Sequence, residues 1–315
     1  MTFRCASPHA SLTRTISSIS ASVMTNGGEN AEAYFSADGR QLIFQATRPG
    51  VSACDQIFIM DVDGRNVRMV STGKGRTTCA YFFPSGERIL YSSTHARAPA
   101  CPPPPDYSQG YVWPLDPYDI YTARPDGSDL RRITNTGAYD AEATISPDGR
   151  RIAFVNDEGI VEKNAGGANP RTLLRSAANS IALADWSPDG RFLLFTRVDA
   201  TPSTLWLLDV TAEVKAPVRF TAEGFNAAGG AFSPDGKWIA YQSDMSGTWE
   251  VYVQPVSTET GSGWQKISSA GGVVPHWRAD GKELFYLSAN GSVTTDPRPP
   301  RRCRRPAARP WPDRR

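Results

Sequence analysis

Histidine is scarce in this chain: 315 residues contain three, His9, His95 and His276, far apart in sequence. A metal centre built on imidazole needs several ligands at short, regular spacings, so that chemistry has poor material here. The five cysteines form no Cys-x-x-Cys pair, which argues against a structural zinc site. The Gly-x-Ser-x-Gly elbow of a serine hydrolase is missing, as are the Gly-rich, His-Arg-Asp and Asp-Phe-Gly loops of a protein kinase. Asp61-Val62-Asp63-Gly64 superficially suggests a calcium loop, but Arg65 stands where a third ligand is needed and the glycine comes two places early; it reads as a hairpin turn. No apolar run reaches the roughly 20 residues of a membrane-crossing helix. The first 30 residues are rich in serine and threonine and lack the continuous apolar stretch of a signal peptide. These absences lead us to expect no metal, no cofactor, no catalytic residue and a protein that is not an enzyme.

Net charge is also small, +2, but it is unevenly spread. Residues 298–315 hold eight arginines and one aspartate, which leaves about −5 on residues 1–297. The tail is almost only Arg, Pro and Ala with no amphipathic period. It reads as a frameshifted or artificial end after Thr295, and no nucleic-acid partner is expected from it.

What the chain does have is one phrase, repeated. Phe-Ser-Pro-Asp-Gly at 232–236 has close copies at 35–39, 145–149, 186–190 and 277–281, and a degraded one at 82–86. The terminal glycines are spaced 47, 63, 41, 46 and 45 residues apart, and self-similarity at a period of about 40–50 residues marks a propeller or solenoid. Each copy is a tight turn with a mechanism: Pro presets φ, Asp bonds nearby backbone, and Gly takes the left-handed conformation. Apolar residues flank each turn, as in Ala231-Phe232 and Trp238-Ile239-Ala240-Tyr241, giving strand, turn, strand. A second hairpin follows in each repeat, as at Gln56–Met60, Asp61–Gly64 and Val67–Val70. The fold class is therefore all-β: a six-bladed β-propeller of four-stranded antiparallel blades, A to D from the axis outward. The domain layout is a disordered start at 1–14, one propeller at 15–296 and a disordered tail at 297–315. The last repeat lacks a fourth strand, and the β-branched segment 15–24 is expected to fill that slot and close the ring.

The unit FSPDG-(K/R)-x-(I/L)-x-(F/Y), followed by IYxxxxDGxxxRxLT, resembles the WD-like propeller repeat of the TolB family over roughly residues 15–295. CDQIF, GRTTC and YSQGYVWPLDPYDIY resemble secreted bacterial TolB-like proteins; EVYVQPV and WRADGKELFYLS resemble propellers attached behind bacterial kinases. The resemblance implies a periplasmic or secreted protein, cytoplasmic if the start is genuine. It also implies a monomeric, non-catalytic module binding a protein or peptide. The alternatives are a hydrolase or lyase at the channel mouth, or a sensor or accessory domain of a peptidase or kinase.

Topology puts the Ser-Pro-Asp-Gly turns on the bottom face and the B–C and D–A connections on top, including the insertion 94–117 in blade 2. Irregular loops on a rigid scaffold are where binding usually resides. The candidate partner-binding residues are Glu32, Arg76, Tyr107, Tyr111, Trp113, Asp140, Glu142 and Asn226. Glu32 and Glu142 stand at the same place in two blades, both as Ala-Glu-Ala, where they line a polar entrance or else bind backbone N–H groups or arginines between blades. Cys54, Cys79 and Cys101 fall on the same face of adjacent blades. In an exported protein a Cys79–Cys101 or a Cys54–Cys101 disulfide is open, as are three free thiols. The strand aromatics Trp186, Trp238, Trp249, Trp277, Tyr81, Tyr241 and Tyr252 are expected to pack between blades.

Overall fold

The computed structural model describes residues 28–103, 108, 115–177, 180–199, 201–257, 261 and 263–296. Blade 1 is β1 (Asn30–Phe35), β2 (Gln41–Arg48), β3 (Ser52–Asp61) and β4 (Arg68–Met69). Blade 2 is β5 (Thr77–Phe82), β6 (Ile89–Ser93), β7 (Asp119–Ala123) and β8 (Arg131–Arg132). Blade 3 is β9 (Ala141–Ile145), β10 (Arg151–Asn156), β11 (Gly159–Asn164) and β12 (Arg171–Arg175). Blade 4 is β13 (Ile181–Trp186), β14 (Phe192–Arg197), β15 (Thr204–Asp209) and β16 (Val218–Arg219). Blade 5 is β17 (Ala227–Phe232), β18 (Trp238–Ser243), β19 (Glu250–Pro255) and β20 (Gln265–Lys266). Blade 6 is β21 (Val273–Trp277), β22 (Leu284–Leu287) and β23 (Val293–Asp296), three strands among the described residues. Every pairing is antiparallel and between chain neighbours, so the fold is a six-bladed all-β propeller. The segment expected to close it, 15–24, and both termini lie outside the described residues.

The bottom turns show why the phrase recurs. In four of them the serine hydroxyl donates to the aspartate two residues on: Ser36 to Asp38 at 2.6 Å, Ser146 to Asp148 at 2.5 Å, Ser187 to Asp189 at 2.6 Å and Ser233 to Asp235 at 2.7 Å. The same hydroxyl accepts the N–H that opens the next strand, as Ser233 does from Trp238 at 3.0 Å. The glycine closes the turn with positive φ. In the last copy Arg278 replaces serine and donates its Nε to Asp280 at 2.7 Å.

The core lies between blades. Ile43, Ile57 and Ile59 of blade 1 pack on Ala80, Tyr91 and Tyr121 of blade 2. Trp186 of blade 4 joins Val155, Ile160 and Leu173 of blade 3, with the Arg151 guanidinium 4.9 Å above its ring. Tyr241 and Tyr252 of blade 5 pack with Leu194 and Leu205 of blade 4, and Trp277 packs on the far side of blade 5. These aromatics serve the seams.

Each innermost strand breaks register with its neighbour once: between Ala31 and Tyr34, Thr78 and Tyr81, Ala141 and Thr144, Leu183 and Asp185, Ala228 and Ala231, and Val273 and His276. In five of them the bulged residue has φ near +50° to +60°: Glu32, Cys79, Glu142, Gly229 and Val274. Such bulges bend a strand and re-aim a side chain. A bulge also leaves an N–H without its ladder partner, and the preceding blade supplies a cap. Gln242 Oε1 accepts Val274 N–H at 2.8 Å, and Glu32 Oε2 accepts Cys79 N–H at 3.0 Å. Nearby, Asp185 Oδ2 of blade 4 accepts Phe232 N–H of blade 5 at 2.8 Å.

Candidate functional site

The three bulges of blades 1 to 3 meet at the top of the channel. Glu32 caps Cys79 as described, and Cys79 Sγ lies 4.0 Å from Glu142 Oε1. Tyr139 Oη donates to the same Glu142 oxygen at 3.3 Å. Burial, then the neighbouring Glu32 charge, push Glu142 up to about 7, against the opposing Tyr139 hydrogen bond. Cys79 is buried, whereas Glu32 and Glu142 each keep part of their surface open. Blades 4 to 6 present Leu183, Gly229 and Val274 at this level, so the acidity is confined to one side.

The disulfide joins Cys54 to Cys101, with Cα atoms 5.6 Å apart, and Cys79 keeps a buried thiol outside it. Cys54 lies near the start of β3, because the β2–β3 hairpin turns early, at Pro49–Val51. The bridge pins the start of the insertion beside the mouth. Gly75 N–H donates to Pro99 O at 2.8 Å, and Arg97 reaches the buried Asp119, which Arg132 also pairs. At its far end, Asp116 pairs with Arg76 at 3.1 Å.

Beside the bridge sit two groups that the sequence reading did not single out. Asp55 is pushed up to about 6 by burial first, then by Glu29 and Glu32, with Arg76 opposing. Tyr118 is fully buried, stands edge-on to Tyr139 with ring centres 6.0 Å apart, and its hydroxyl has no hydrogen-bond partner among the described residues. Burial pushes that hydroxyl's pKa well up, Arg76 opposes the shift, and Asp116, Cys79 and Asp55 add to it. Asp55 could have been suspected from its place next to Cys54; Tyr118 looks like an ordinary strand aromatic in sequence.

The other sequence candidates fall elsewhere. Asp140 is buried, accepts Thr136 Oγ1 at 2.7 Å and gives its N–H to Tyr118 O, which fixes a loop. Asn226 is committed to the scaffold: its amide donates to Asp244 at 2.6 Å and its oxygen accepts Ser203 N–H at 3.0 Å. Tyr107, Tyr111 and Trp113 lie outside the described residues. A cleft of about 400 Å³ on blade 4 is lined by Arg197, Trp206, Arg219 and Glu223, but Arg197 is paired with Asp199 and Arg219 with Glu223. His95 Nδ1 is 2.8 Å from Ser93 Oγ, yet Ser93 is fully buried and the contact is local to one turn. Among the described residues no group of three or more His, Cys, Asp or Glu is placed to hold a metal ion.

No family model matches the chain. An uncharacterised protein of Agrobacterium fabrum is 27% identical over 162 residues, 49% of this chain and 53% of that protein. The matched stretch thus spans about half the length of that relative. Among solved structures, TolB from Acinetobacter baumannii superposes with a TM-score of 0.58 at 18% identity, over 82% of this chain and 63% of that one. The structure of putative TolB from Agrobacterium tumefaciens gives 0.54 at 19%, over 73% and 84%. The chain has the TolB-like propeller fold. Oligogalacturonate lyase in complex with manganese gives 0.57 at 12% identity, over 86% and 77%, so the same fold also carries enzymes. Likeness at this level shows the fold, and function must be argued from the site.

Proposed function

We propose that this protein is a non-catalytic binding module that engages a protein or peptide through its top face, at the mouth formed by blades 1 to 3 and the insertion of blade 2. One observation carries the reading: a strained, partly open acidic rim (Glu32, Glu142) with the start of the insertion fixed beside it by the Cys54–Cys101 bridge. Non-glycine residues at positive φ cost about 1–3 kcal/mol each and persist where the surroundings hold them, commonly at functional sites. The disulfide supports an exported location, since such bonds last in oxidising compartments. A second reading, an accessory propeller of a larger enzyme, draws on the fold shared with prolyl endopeptidases, where the match covers 41% of the longer chain at a TM-score of 0.55.

The test is affinity capture from a periplasmic extract, using the full chain and a variant with residues 102–115 replaced by a short Gly-Ser linker. That variant retains Cys101 and Asp116, and so keeps the bridge and the Arg76 pair. Loss of a specific captured protein from the variant supports the top face. Equal recovery by both removes the insertion from the binding surface.

A further inference from the structure

One blade departs from a pattern that the sheet register repeats. Side chains two places apart on a strand, and directly opposite on its neighbour, share a face. In blade 2 this sets Asp119 and Tyr121 of strand C on the same face as Arg132 of strand D, which lies opposite Tyr121, and Arg132 pairs with Asp119. Blade 5 repeats the arrangement: Glu250 and Tyr252 stand on strand C, Lys266 lies opposite Tyr252, and Lys266 pairs with Glu250 at 3.1 Å. Blade 4 keeps the aromatic and the cation, Trp206 with Arg219 opposite, but Thr204 replaces the acid. On strand B, across from the acid, blades 2 and 5 have Ser93 and Ser243, and blade 4 has Arg197. Two arginines and no strand acid thus border a cleft of about 400 Å³, with Trp206 as a wall. Their partners are poor substitutes for that acid: the side chains of Asp199 and Glu223 are 37% and 75% exposed, against 0% and 2% for Asp119 and Glu250. Ion pairs so open to water contribute little.

We infer that the blade 4 cleft binds a small carboxylate with a flat or apolar body. Its carboxyl group takes the place that Asp119 and Glu250 fill in their own blades, within reach of Arg197 and Arg219, and its body lies along Trp206. Neither existing ion pair has to break. A guanidinium carries several N–H donors, and Arg197 spends only Nε and Nη2 on Asp199; Arg219 can hold Glu223 and a further acceptor at once. The group missing from blade 4 is planar, and a guanidinium fork matches a carboxylate with two parallel N–H···O bonds. The Trp206 indole N–H already donates to Thr204 Oγ1 at 2.9 Å, so the indole offers the ligand its apolar surface. A volume of about 400 Å³ lies at the small end of ligand pockets, which suits one ring or a fused pair. No residue of the cleft belongs to the mouth, and the two sites stand or fall separately.

The probes are 2-naphthoate, 2-naphthamide, acetate and inorganic phosphate, titrated calorimetrically onto the full chain at pH 7. The naphthoate should bind at least tenfold tighter than each of the others: the amide lacks the charge, acetate lacks the body, and phosphate lacks both the body and the planar fork. Thr204→Glu rebuilds the arrangement of blade 5 within blade 4. Its own carboxylate should pair with Arg219 and weaken naphthoate binding at least tenfold. Arg197→Ser, which installs the residue of blades 2 and 5 at an exposed position, should weaken it threefold or more. Equal binding of naphthamide or of phosphate overturns the carboxylate seat, and so does the absence of binding by any probe. Unchanged naphthoate affinity in Thr204→Glu places binding elsewhere and overturns it too. Should Thr204→Glu fail to fold, Arg197→Ser decides alone, and an unchanged affinity there overturns the seat.

Discussion

Replacing Glu142 by glutamine should stabilise the protein at alkaline pH and leave it unchanged at acid pH. A carboxyl whose folded pKa lies above its unfolded value holds its proton more firmly when folded. Stability is then full below the unfolded value and is lost as pH rises through the folded one. For Glu142 that window runs from the ordinary 4.5 to about 7. Sealed from water, such a shift would be worth about 3 kcal/mol at about 1.4 kcal/mol per pH unit. Part of Glu142 faces the channel, where solvent screens it, so an effect on the order of 2 kcal/mol is expected. Glutamine keeps the length and can still accept from Tyr139 Oη, but cannot ionise beside Glu32.

Thermal unfolding of both proteins, read at half-unit steps from pH 4.5 to pH 8, gives the difference directly. Asp55 and Asp185, each raised to about 6 by burial, titrate in both proteins and so cancel from the difference. The two midpoints should coincide at pH 4.5, separate through pH 6 and differ by roughly 4 °C at pH 8, with the glutamine protein higher. A constant offset across the range would refute the reasoning, because it would report packing and not ionisation. An offset growing toward acid would refute its sign.

Three further outcomes are expected. The Cys54–Cys101 bridge spans 47 residues, so Cys54→Ser and Cys101→Ser should each lose about 2–4 kcal/mol in denaturant titration, and the double variant no more than either single one. Asp185→Ala removes the acceptor of Phe232 N–H at the seam of blades 4 and 5; orphaning that donor should cost about 1–3 kcal/mol, with Asp185→Asn losing less. Val274 holds a β-branched residue at φ +54° where blade 5 has Gly229. Val274→Gly should therefore gain about 1 kcal/mol in the same assay once strain relief is set against chain entropy.

The blades were legible in sequence because their signal is local. Serine, aspartate and glycine within five residues make a turn that needs no distant contact, as Ser233, Asp235 and Gly236 show. The channel rim was half legible. Glu32 and Glu142 stood out as a repeated Ala-Glu-Ala, but the bulge beneath them left no mark, since Cys79 and Val274 adopt the same backbone with unrelated side chains. The three open cysteine arrangements narrowed to one through register: Cys54 lies in β3, close to the insertion, while Cys79 faces the channel. The partners of Asn226 were not legible, because loop asparagines look free in sequence and only the fold brings Asp244 and Ser203 against it.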